Sequence, residues 1–351
     1  MKVVKKMKAA ILEGERTIIV KDVKIDFPED WVKIKIESAG ICGSDINFWF
    51  GNSLDTVKGK ILGHEVSGII VELPKDYKGK FKIGDGVVIE PLIGCGKCEY
   101  CRSGKYYLCN KLKHIGIFYP GGFAEVTAAP PEKIFSLPLN LSYDLGSLAD
   151  VVAVAVHCGN ILKTVEKGKN LNVCIVGDGP IALSTVVVLR KFKNVNKISL
   201  IGKHARNMEL SRKMGVTVME RITGNYDIVI EAVGRRRGTS AFDTSIKLVK
   251  PGSVLIVLGQ YHDRFYELDL HRLVNEELKL IGSFSYGIFD GKRELELALS
   301  VISEFKDYFE SMITHRIKLE KISKAFEIAA NKDEYKSIKV IVKPNMKEDW
   351  I

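Results

Sequence analysis

Four of the seven cysteines lie within fifteen positions, in the stretch GCGKCEYCRSGKYYLCN (94–110). In a reducing compartment, cysteines this close together are better interpreted as metal ligands than as disulfides. Four thiolates favour zinc, although a compact run of this kind also holds iron–sulfur clusters. Because four protein ligands leave no position for a substrate, such a site would be structural. The cysteines, and the glycines that allow turns between them, are Cys95, Cys98, Cys101 and Cys109 with Gly94, Gly96 and Gly104.

A second set of residues could hold a catalytic metal. Cys42 lies in GICGSD (40–45), and His64 and Glu65 follow about twenty residues later in GHE (63–65). A thiolate, an imidazole and a nearby carboxylate would leave one zinc position open for chemistry. Taken alone, a single cysteine or histidine is more often a buried core residue. Together, and beside the four-cysteine stretch, they predict a zinc site that activates a hydroxyl group.

A third motif is typical of nucleotide binding. Residues 171–176 form a short apolar run, as in a buried parallel strand, and a helical pattern begins at Pro180. Between them Gly177, Gly179 and Ala182 form the dinucleotide fingerprint G-x-G-x-x-A. Its glycines allow a tight turn and close approach of a pyrophosphate to the helix N-terminus. We predict cofactor contacts at Gly177, Gly179, Pro180 and Ile181.

The end of the next strand predicts which dinucleotide binds. KISLIG (197–202) ends at Gly202, where an NAD enzyme usually has an acidic residue for the ribose 2′-hydroxyl. Lys203, His204 and Arg206 follow, so we expect that no carboxylate repels a 2′-phosphate and that up to three basic groups could bind one. This pattern predicts NADP rather than NAD. The alternative is that these residues are only the polar start of a helix.

In combination, the motifs resemble the zinc-containing medium-chain alcohol and polyol dehydrogenases, of the sorbitol dehydrogenase type. The resemblance covers nearly the whole chain, since it also includes GGFAEV (121–126) and the tail HRIKLEKISKAFE (315–327). It implies an oxidoreductase with two zinc ions per subunit that transfers a hydride between a secondary alcohol or polyol, or the carbonyl, and NADP(H). An aldose (glucose-type) 1-dehydrogenase of the same family and a non-catalytic nucleotide-binding relative are the alternatives.

The resemblance also implies roles for residues near the catalytic metal. The third ligand would be Asp150, directly or through water, in SLADVVAVAVHCG (147–159); the alternative is a helix N-cap. Glu65 would lie in or next to the first coordination shell. Ser44 would begin a proton relay, and Asn47 cannot titrate where relatives have His, so the relay must continue through a ribose hydroxyl or water. Asp45 is interpreted as a structural hydrogen-bond acceptor. His157, Cys158 and Cys174 are interpreted as core residues.

Further residues are matched to the nicotinamide and the substrate. The ends of later strands would face the nicotinamide at Val233, Gly234, Leu258 and Phe284, and the substrate would meet Phe48, Ser285 and Tyr286. Polyol enzymes have an Arg at the position of Ser285. Its loss leaves a simpler secondary alcohol, a diol or an aldose open as substrates.

The elements that must position these residues predict an α/β protein of two domains. A mainly β, GroES-like catalytic domain would span residues 1–153, with a structural zinc lobe at about 91–112, and residues 289–351 would return to it. Residues 154–288 would form a doubly wound Rossmann domain, with the active site in the cleft between the domains. The short gap between TVME (217–220) and Tyr226 predicts a connection without a helix. Relatives are dimers or tetramers, and SVLIVLG (253–259) is our candidate for the edge strand that joins subunits.

Composition narrows the class further. The formal charge of +10 is dispersed along the chain, which argues against a zinc-ribbon nucleic-acid binder. No apolar stretch approaches a membrane span, and the N-terminus has no secretory signal, so we expect a cytoplasmic protein. Gln260 is the only glutamine while Lys and Glu are abundant, which favours a thermophilic source.

Overall fold

The computed structural model describes residues 6–165, 168, 170–219, 221–234, 240–261 and 268–346. The strands are β1 (Met7–Gly14), β2 (Thr17–Val23), β3 (Val32–Gly40), β4 (Glu65–Glu72), β5 (Gly86–Ile89), β6 (Leu92–Ile93), β7 (Lys113–His114), β8 (Val126–Ala129), β9 (Ile134–Ser136), β10 (Leu171–Val176), β11 (Val195–Ile201), β12 (Thr217–Val218), β13 (Tyr226–Glu231), β14 (Val249–Val257), β15 (Lys279–Gly282), β16 (Ile288–Phe289), β17 (Lys292–Arg293), β18 (Ile313–Lys318) and β19 (Lys339–Lys343).

Several helices begin at residues that the sequence marks as helix starts. Pro180 opens α6, and the hydroxyl of Ser142 accepts the N–H of Leu145 at the start of α4. The helices are α1 (Gly43–Trp49), α2 (Leu54–Val57), α3 (Glu99–Arg102), α4 (Tyr143–Ser147), α5 (Ala149–Val165), α6 (Pro180–Arg190), α7 (Ala205–Lys213), α8 (Ser240–Leu248), α9 (Leu270–Asn275), α10 (Glu294–Glu304), α11 (Lys306–Met312), α12 (Ile322–Ala330) and α13 (Lys332–Tyr335). Among the described residues, none of these has both the length and the apolar character that crossing a bilayer requires.

Backbone contacts divide the chain into two units. The first comprises Met1–Asp150 and Asp290–Ile351, and the second Val151–Phe289. In the first unit a mainly antiparallel sheet has the strand order β18-β19-β3-β4-β5-β9, and β8 also pairs with β3. In the first part of β3, Val32, Ile34 and Ile36 are buried and alternate with half-exposed residues, as expected where one face of the sheet covers the core.

The second unit is a parallel sheet with the order β12-β11-β10-β13-β14-β15. In order along the unit this is 3-2-1-4-5-6, the doubly wound arrangement. Val173 and Ile175 belong to the core that contains α5 and α6, whereas Cys174 and Val176 belong to the core that contains α8. Both faces are therefore buried, which explains the continuous apolar runs of its strands. The predicted α/β fold is confirmed.

Two expectations about this sheet have different outcomes. Met219 and residues 221–225 form no helix, so the prediction for the connection before Tyr226 is confirmed. The prediction that SVLIVLG is an edge strand is wrong: β14, which contains most of it, pairs with β13 on one side and β15 on the other. The edge strands of the described sheet are β12 and β15, and β15 is short and carries a charged residue, Lys279.

Candidate active site

The register of three strands brings the candidate metal ligands together. In the antiparallel pair of β3 and β4, Gly40 lies opposite Glu65, and on the other side of β3 Gly40 lies opposite Ile341 of β19. Cys42 follows the end of β3 by two residues, and His64 immediately precedes β4. Residues distant in sequence therefore meet at one end of this sheet.

Cys42, His64 and Glu65 offer ligand atoms that all lie within 4.8 Å of one another. His64 and Glu65 are buried, and Glu65 Oε1 accepts no hydrogen bond from any described residue. A buried carboxylate oxygen without a donor is costly unless a cation compensates it. Burial raises the pKa of Glu65, although the Lys339 ammonium opposes this effect. A thiolate, an imidazole and a carboxylate are suitable zinc ligands, so these residues fit a zinc ion.

Asp45 contacts two of these residues, Cys42 and His64. Its Oδ2 accepts the N–H of Cys42 at 2.9 Å, and its Oδ1 lies 3.7 Å from Nδ1 of His64. This confirms the interpretation of Asp45 as a structural acceptor. Burial alone would lower the pKa of His64, but Asp45 and Cys42 outweigh burial and hold it well above its usual range. The surroundings therefore favour positive charge, as expected around a metal ligand with an acidic neighbour.

Asp150 lies outside this group of ligand atoms. It is half-buried in the first turn of α5. Its charge nevertheless raises the pKa of both His64 and Glu65. Glu65 is thus the carboxylate that lies beside Cys42 and His64. The helix begins at Ala149, so Asp150 is not its N-cap.

Lys339 is a site residue that sequence reasoning missed. It forms an ion pair with Glu65 Oε2, its Nζ donates to the carbonyl of Ile41 at 3.1 Å, and only 2% of the residue is exposed. A Cβ at Gly40 would overlap Glu65 Oε2 and lie 2.9 Å from Lys339 Cε. Gly40 therefore makes room for the pair. The available signal was weak, since Lys339 is the first residue of the apolar strand KVIVK and lysines are almost never buried unless paired.

The GGF segment holds the loop that carries His64. Gly122 N–H donates to the carbonyl of Gly63 at 2.7 Å, and Phe123 N–H donates to that of Leu62 at 3.0 Å. A Cβ at Gly121 would overlap the carbonyl oxygens of Leu62 and Gly63. Gly121 is therefore needed because the two backbones pack directly against each other, whereas a Cβ at Gly122 would overlap the side chain of Val66.

His114 is a second residue that sequence reasoning missed. Its ring meets that of His64 edge-on with 5.0 Å between centroids, and its Nδ1 lies 2.7 Å from the carbonyl oxygen of Ile115. Burial lowers the pKa of His114 to about 3, and the charge on His64 adds to this effect. A neutral ring with Nδ1–H donating to the carbonyl follows. Nothing in its sequence neighbourhood distinguishes it from a surface histidine.

The four-cysteine stretch forms a separate site. All four sulfurs lie within 4.8 Å of one another, and those of Cys95 and Cys101 are 4.0 Å apart. Zn–S bonds of about 2.3 Å in a tetrahedron place sulfurs about 3.8 Å apart. The spacing fits one tetrahedral ion, whereas a cluster of several irons needs a wider separation.

Backbone groups prepare these sulfurs for a metal. The N–H groups of Cys95 and Lys111 donate to Cys109 Sγ at 3.4 and 3.3 Å. Backbone donors at Lys97 and Cys98 lower the pKa of Cys95 to about 6. Among the predicted turn glycines, Gly96 and Gly104 have positive φ, but Gly94 does not. A Cβ at Gly94 would lie 2.7 Å from Cys101 Sγ, so its role is to leave space.

The nucleotide motif lies at the carboxyl end of β10, which pairs with β13. Gly177 has φ +126°, its N–H donates to the carbonyl of Ile201, and a Cβ there would meet Ala232 O at 3.0 Å. Gly179 is the N-cap of α6, Pro180 and Ile181 are its first residues, and a Cβ at Gly179 meets nothing within 4 Å. An open backbone at the start of a long helix fits a dinucleotide pyrophosphate.

The nicotinamide candidates cluster around one buried carboxylate. Glu231 accepts the N–H groups of Val233 at 2.8 Å, Gly234 at 3.1 Å and Gly259 at 3.2 Å. It thereby joins the loop after β13 to the loop after β14, where Leu258 lies. Val233 and Phe284 are exposed, whereas Leu258 is buried.

The second-strand region departs from the sequence prediction in one respect. Lys203 and Arg206 are exposed, and His204 is the N-cap of α7. The expectation that no carboxylate lies beside Gly202 is wrong, because Asp178 folds back and its Oδ2 accepts the N–H groups of Lys203 and His204. Asp178 stands 24 residues before Gly202 in the sequence, so the motif alone did not reveal this contact.

The remaining candidates occupy ordinary positions in their units. Ser44 and Asn47 lie three residues apart on α1 and thus on the same side of the helix. Phe48 is half-buried against the core, Ser285 has a left-handed backbone with φ +55°, and Tyr286 is buried. The three residues interpreted as core are buried: His157, Cys158 and Cys174.

Family profiles match two consecutive parts of the chain. Residues 28–139 match the alcohol dehydrogenase GroES-like domain, and residues 151–343 match the glucose dehydrogenase C-terminus. The second match alone covers more than half of the 351 residues.

Individual proteins match along almost their whole length. D-arabitol-phosphate dehydrogenase of Enterococcus avium is 29% identical over 335 residues, covering 91% of this chain and 92% of that protein. Sorbitol dehydrogenase of Bacillus subtilis (strain 168) is 27% identical, covering 97% and 98%. A crystal structure of a zinc-binding dehydrogenase from Sinorhizobium meliloti 1021 bound to NADP has a TM-score of 0.82 at 28% identity, covering 97% of this chain and 100% of that one. The chain belongs to the zinc-containing medium-chain alcohol and polyol dehydrogenases, a family of oxidoreductases.

Proposed function

We propose that this protein transfers a hydride between a secondary alcohol or polyol, or the corresponding carbonyl compound, and NADP(H). The observation that carries the proposal is the convergence of Cys42, His64 and the unpaired oxygen of Glu65. These three would hold the catalytic zinc, with Asp150 acting through water. The four clustered cysteines would hold a second, structural zinc. A zinc ion in the first site would supply the Lewis acidity that lowers the pKa of a substrate hydroxyl.

Other residues of this chain would transfer the proton and orient the nicotinamide. Ser44 Oγ would accept the hydroxyl proton, and a ribose hydroxyl or water would carry it onward because the Asn47 amide does not titrate. The loops that Glu231 joins would orient the nicotinamide through Val233, Gly234 and Leu258, and Phe284 would cover it. Orientation of the reacting carbon is the main contribution that a protein makes to hydride transfer.

Preference for NADP rests on the charges that follow β11. Lys203 and Arg206 are exposed, and His204 is half-buried beside them. These groups would bind a 2′-phosphate, and Gly202 leaves the end of the strand without its own carboxylate. The Sinorhizobium meliloti structure, which is 28% identical, is bound to NADP and supports this preference.

The substrate would meet Phe48, Ser285 and Tyr286. Ser285 cannot form the charged contacts of the arginine that polyol enzymes have there, so we propose a secondary alcohol or a less hydroxylated polyol. Oxidation of an aldose at C1 is the second candidate. The observation that favours it is the match of residues 151–343 to the glucose dehydrogenase C-terminus.

We also propose that the protein is a homodimer or homotetramer in the cytoplasm of a thermophile. The seven free cysteines suit a reducing compartment. Val274 of α9 is 70% exposed and Leu280 of the edge strand β15 is 43% exposed, which favours this side of the second unit as the contact between subunits. The double substitution Val274→Lys and Leu280→Lys should yield monomers in sedimentation velocity. Ile83→Lys, which changes a residue that is 67% exposed in the first unit, should leave assembly unchanged.

The decisive experiment combines metal analysis with turnover. We expect two zinc ions per subunit, and turnover with NADP+ on a panel of secondary alcohols, diols, polyols and aldoses that exceeds turnover with NAD+. Cys42→Ser should keep one zinc and bind NADP+ but lose turnover. Comparable efficiency with NAD+ would contradict the cofactor assignment, and cofactor binding without turnover on the whole panel would indicate a non-catalytic relative.

A further inference from the structure

Asp178, between the two glycines of the nucleotide motif, is a buried carboxylate that the proposed chemistry does not use. Only 6% of the residue is exposed. Its Oδ2 accepts the N–H of Lys203 at 2.8 Å and that of His204 at 2.7 Å. Its Oδ1 lies 2.9 Å from His204 Nδ1. Since a carboxylate only accepts, Nδ1 of His204 carries the hydrogen of this contact.

The surrounding residues fix Asp178 in this position. A Cβ at Gly202 would lie 2.6 Å from Asp178 Cβ, so any larger residue there would displace the carboxylate. Asn207, which is 2% exposed, donates to the carbonyl of Asp178 at 2.7 Å. The glycine turn after β10 and the turn after β11 therefore form one hydrogen-bonded unit.

This arrangement changes how a 2′-phosphate could be recognised. Asp178 already occupies the N–H groups of Lys203 and His204, which immediately precede the first residue of α7 and could otherwise donate to an anion. It also places a negative charge directly behind the residues that would meet the ribose. The side chains of Lys203 and Arg206 are exposed beside this turn, and His204 is paired to the carboxylate.

We propose that Asp178 determines the preference between a 2′-phosphate and a 2′-hydroxyl, with His204 as the group that offsets its charge. The inference rests on the proposed binding of a dinucleotide by this unit. Asp178 acts as a specificity residue through charge and through the position of Lys203 and His204. It replaces the acidic residue that β11 lacks at its end and moderates the affinity for NADP.

Asp178→Asn tests the effect of the negative charge alone, because an amide has nearly the same shape as a carboxylate. Its oxygen can still accept both N–H groups, and its NH2 can donate to His204 Nδ1 in the other tautomer. The probes are 2′,5′-ADP and 5′-AMP, titrated into the full-length protein by isothermal calorimetry at low salt. We expect the variant to increase the affinity for 2′,5′-ADP relative to 5′-AMP by about three- to tenfold, as for removal of one charge within several ångströms. The gain should shrink at 0.5 M salt.

Two further variants separate charge from shape. Asp227→Asn removes the same charge near the start of β13, at the opposite end of the parallel strands, and should leave the affinity ratio unchanged. His204→Ala should lower the affinity for 2′,5′-ADP relative to 5′-AMP, because His204 no longer offsets the negative charge of Asp178. This effect should be smaller in an Asp178→Asn background.

The outcomes distinguish this inference from the proposed function. If wild type binds 2′,5′-ADP but Asp178→Asn changes both probes equally or shifts the ratio by less than twofold, Asp178 is only an anchor and the inference is overturned. If wild type favours 5′-AMP while Asp178→Asn turns it toward 2′,5′-ADP, the inference stands and the NADP assignment fails. If wild type binds neither probe, both fail.

Discussion

Glu65 and Lys339 form an ion pair in which both residues are almost completely excluded from solvent, and Gly40 provides the space for it. The pair joins the start of β4 to the start of β19 beside Cys42 and His64. Breaking a buried pair by removing one partner costs about 3–5 kcal/mol, so the pair is expected to keep its geometry. Lys339 thereby positions the carboxylate that we assign to the catalytic zinc.

Gly40→Ala tests this relationship without removing a charge. The added Cβ would overlap Glu65 Oε2, so the carboxylate must move away from Cys42 and His64. We expect zinc content to fall from two ions toward one per subunit, with a loss of about 1–3 kcal/mol in the free energy of unfolding from overpacking. Elemental analysis and urea denaturation would measure both effects.

Gly14→Ala is the matched control, since a Cβ at Gly14 meets nothing within 4 Å and its φ is not positive. It should retain both zinc ions and wild-type stability. Full zinc content in Gly40→Ala would show that Glu65 is not a zinc ligand.

A substitution in the four-cysteine lobe should remove the structural zinc and leave the catalytic zinc bound. In Cys109→Ser a buried sulfur that accepts two N–H groups is replaced by a poorer zinc ligand. We expect one zinc per subunit, and a lower melting temperature because structural zinc contributes folding energy. Cys174→Ala is the control: this buried cysteine lies in β10 outside both ligand groups, so the variant should melt earlier yet keep two zinc ions. Equal zinc content in the two variants would exclude a metal in the lobe.

The contacts of Asp144 indicate how the stability of the first unit depends on pH. The carboxylate of this α4 residue contacts Ser38, Arg316 and Lys343 and so joins α4 to β3, β18 and β19. Burial would raise its pKa, but Lys343, Ser38 and Arg316 outweigh burial and lower it. A folded pKa below the unfolded value stabilises the protein above about pH 4, and this contribution is lost as the pH falls through the folded value.

Asp144→Asn should therefore reduce the free energy of unfolding by about 3 kcal/mol at pH 7. The difference from wild type should narrow below about pH 4, where Asp144 of the unfolded chain becomes protonated, and should disappear as the pH falls through the lower pKa of the folded state. Asp227→Asn is the contrast, because Asp227 also has a lowered pKa but pairs with Lys250 at the surface. Its effect should stay below about 1 kcal/mol. Urea denaturation at several pH values measures both variants, and a difference independent of pH would contradict the role of the Asp144 charge.

Local patterns predicted the parts of the structure that depend on neighbouring residues. The glycine turn after β10, the start of α6 at Pro180 and the four-cysteine lobe are each determined by a few consecutive residues. Lys339 was missed because strand register alone brings β19 beside β3, about 300 residues earlier in the chain. Asp178 was missed because its side chain contacts a turn that follows a different strand. SVLIVLG was misassigned because edge and central parallel strands have similarly apolar sequences.

Glu231 holds together the loops after β13 and β14, so we expect its substitution to weaken cofactor binding. One carboxylate oxygen accepts the N–H groups of Val233 and Gly234, and the other accepts that of Gly259. In Glu231→Gln the side-chain NH2 must face one of these donors, and a buried unsatisfied group costs about 1–3 kcal/mol. We expect the KM for the cofactor to rise by about tenfold, since 1.4 kcal/mol corresponds to one factor of ten, with zinc content unchanged. Glu276→Gln is the control: Glu276 is half-buried at the C-cap of α9, and its substitution should change neither the cofactor KM nor the zinc content. A Glu231→Gln enzyme with normal cofactor KM would show that these loops do not orient the nicotinamide.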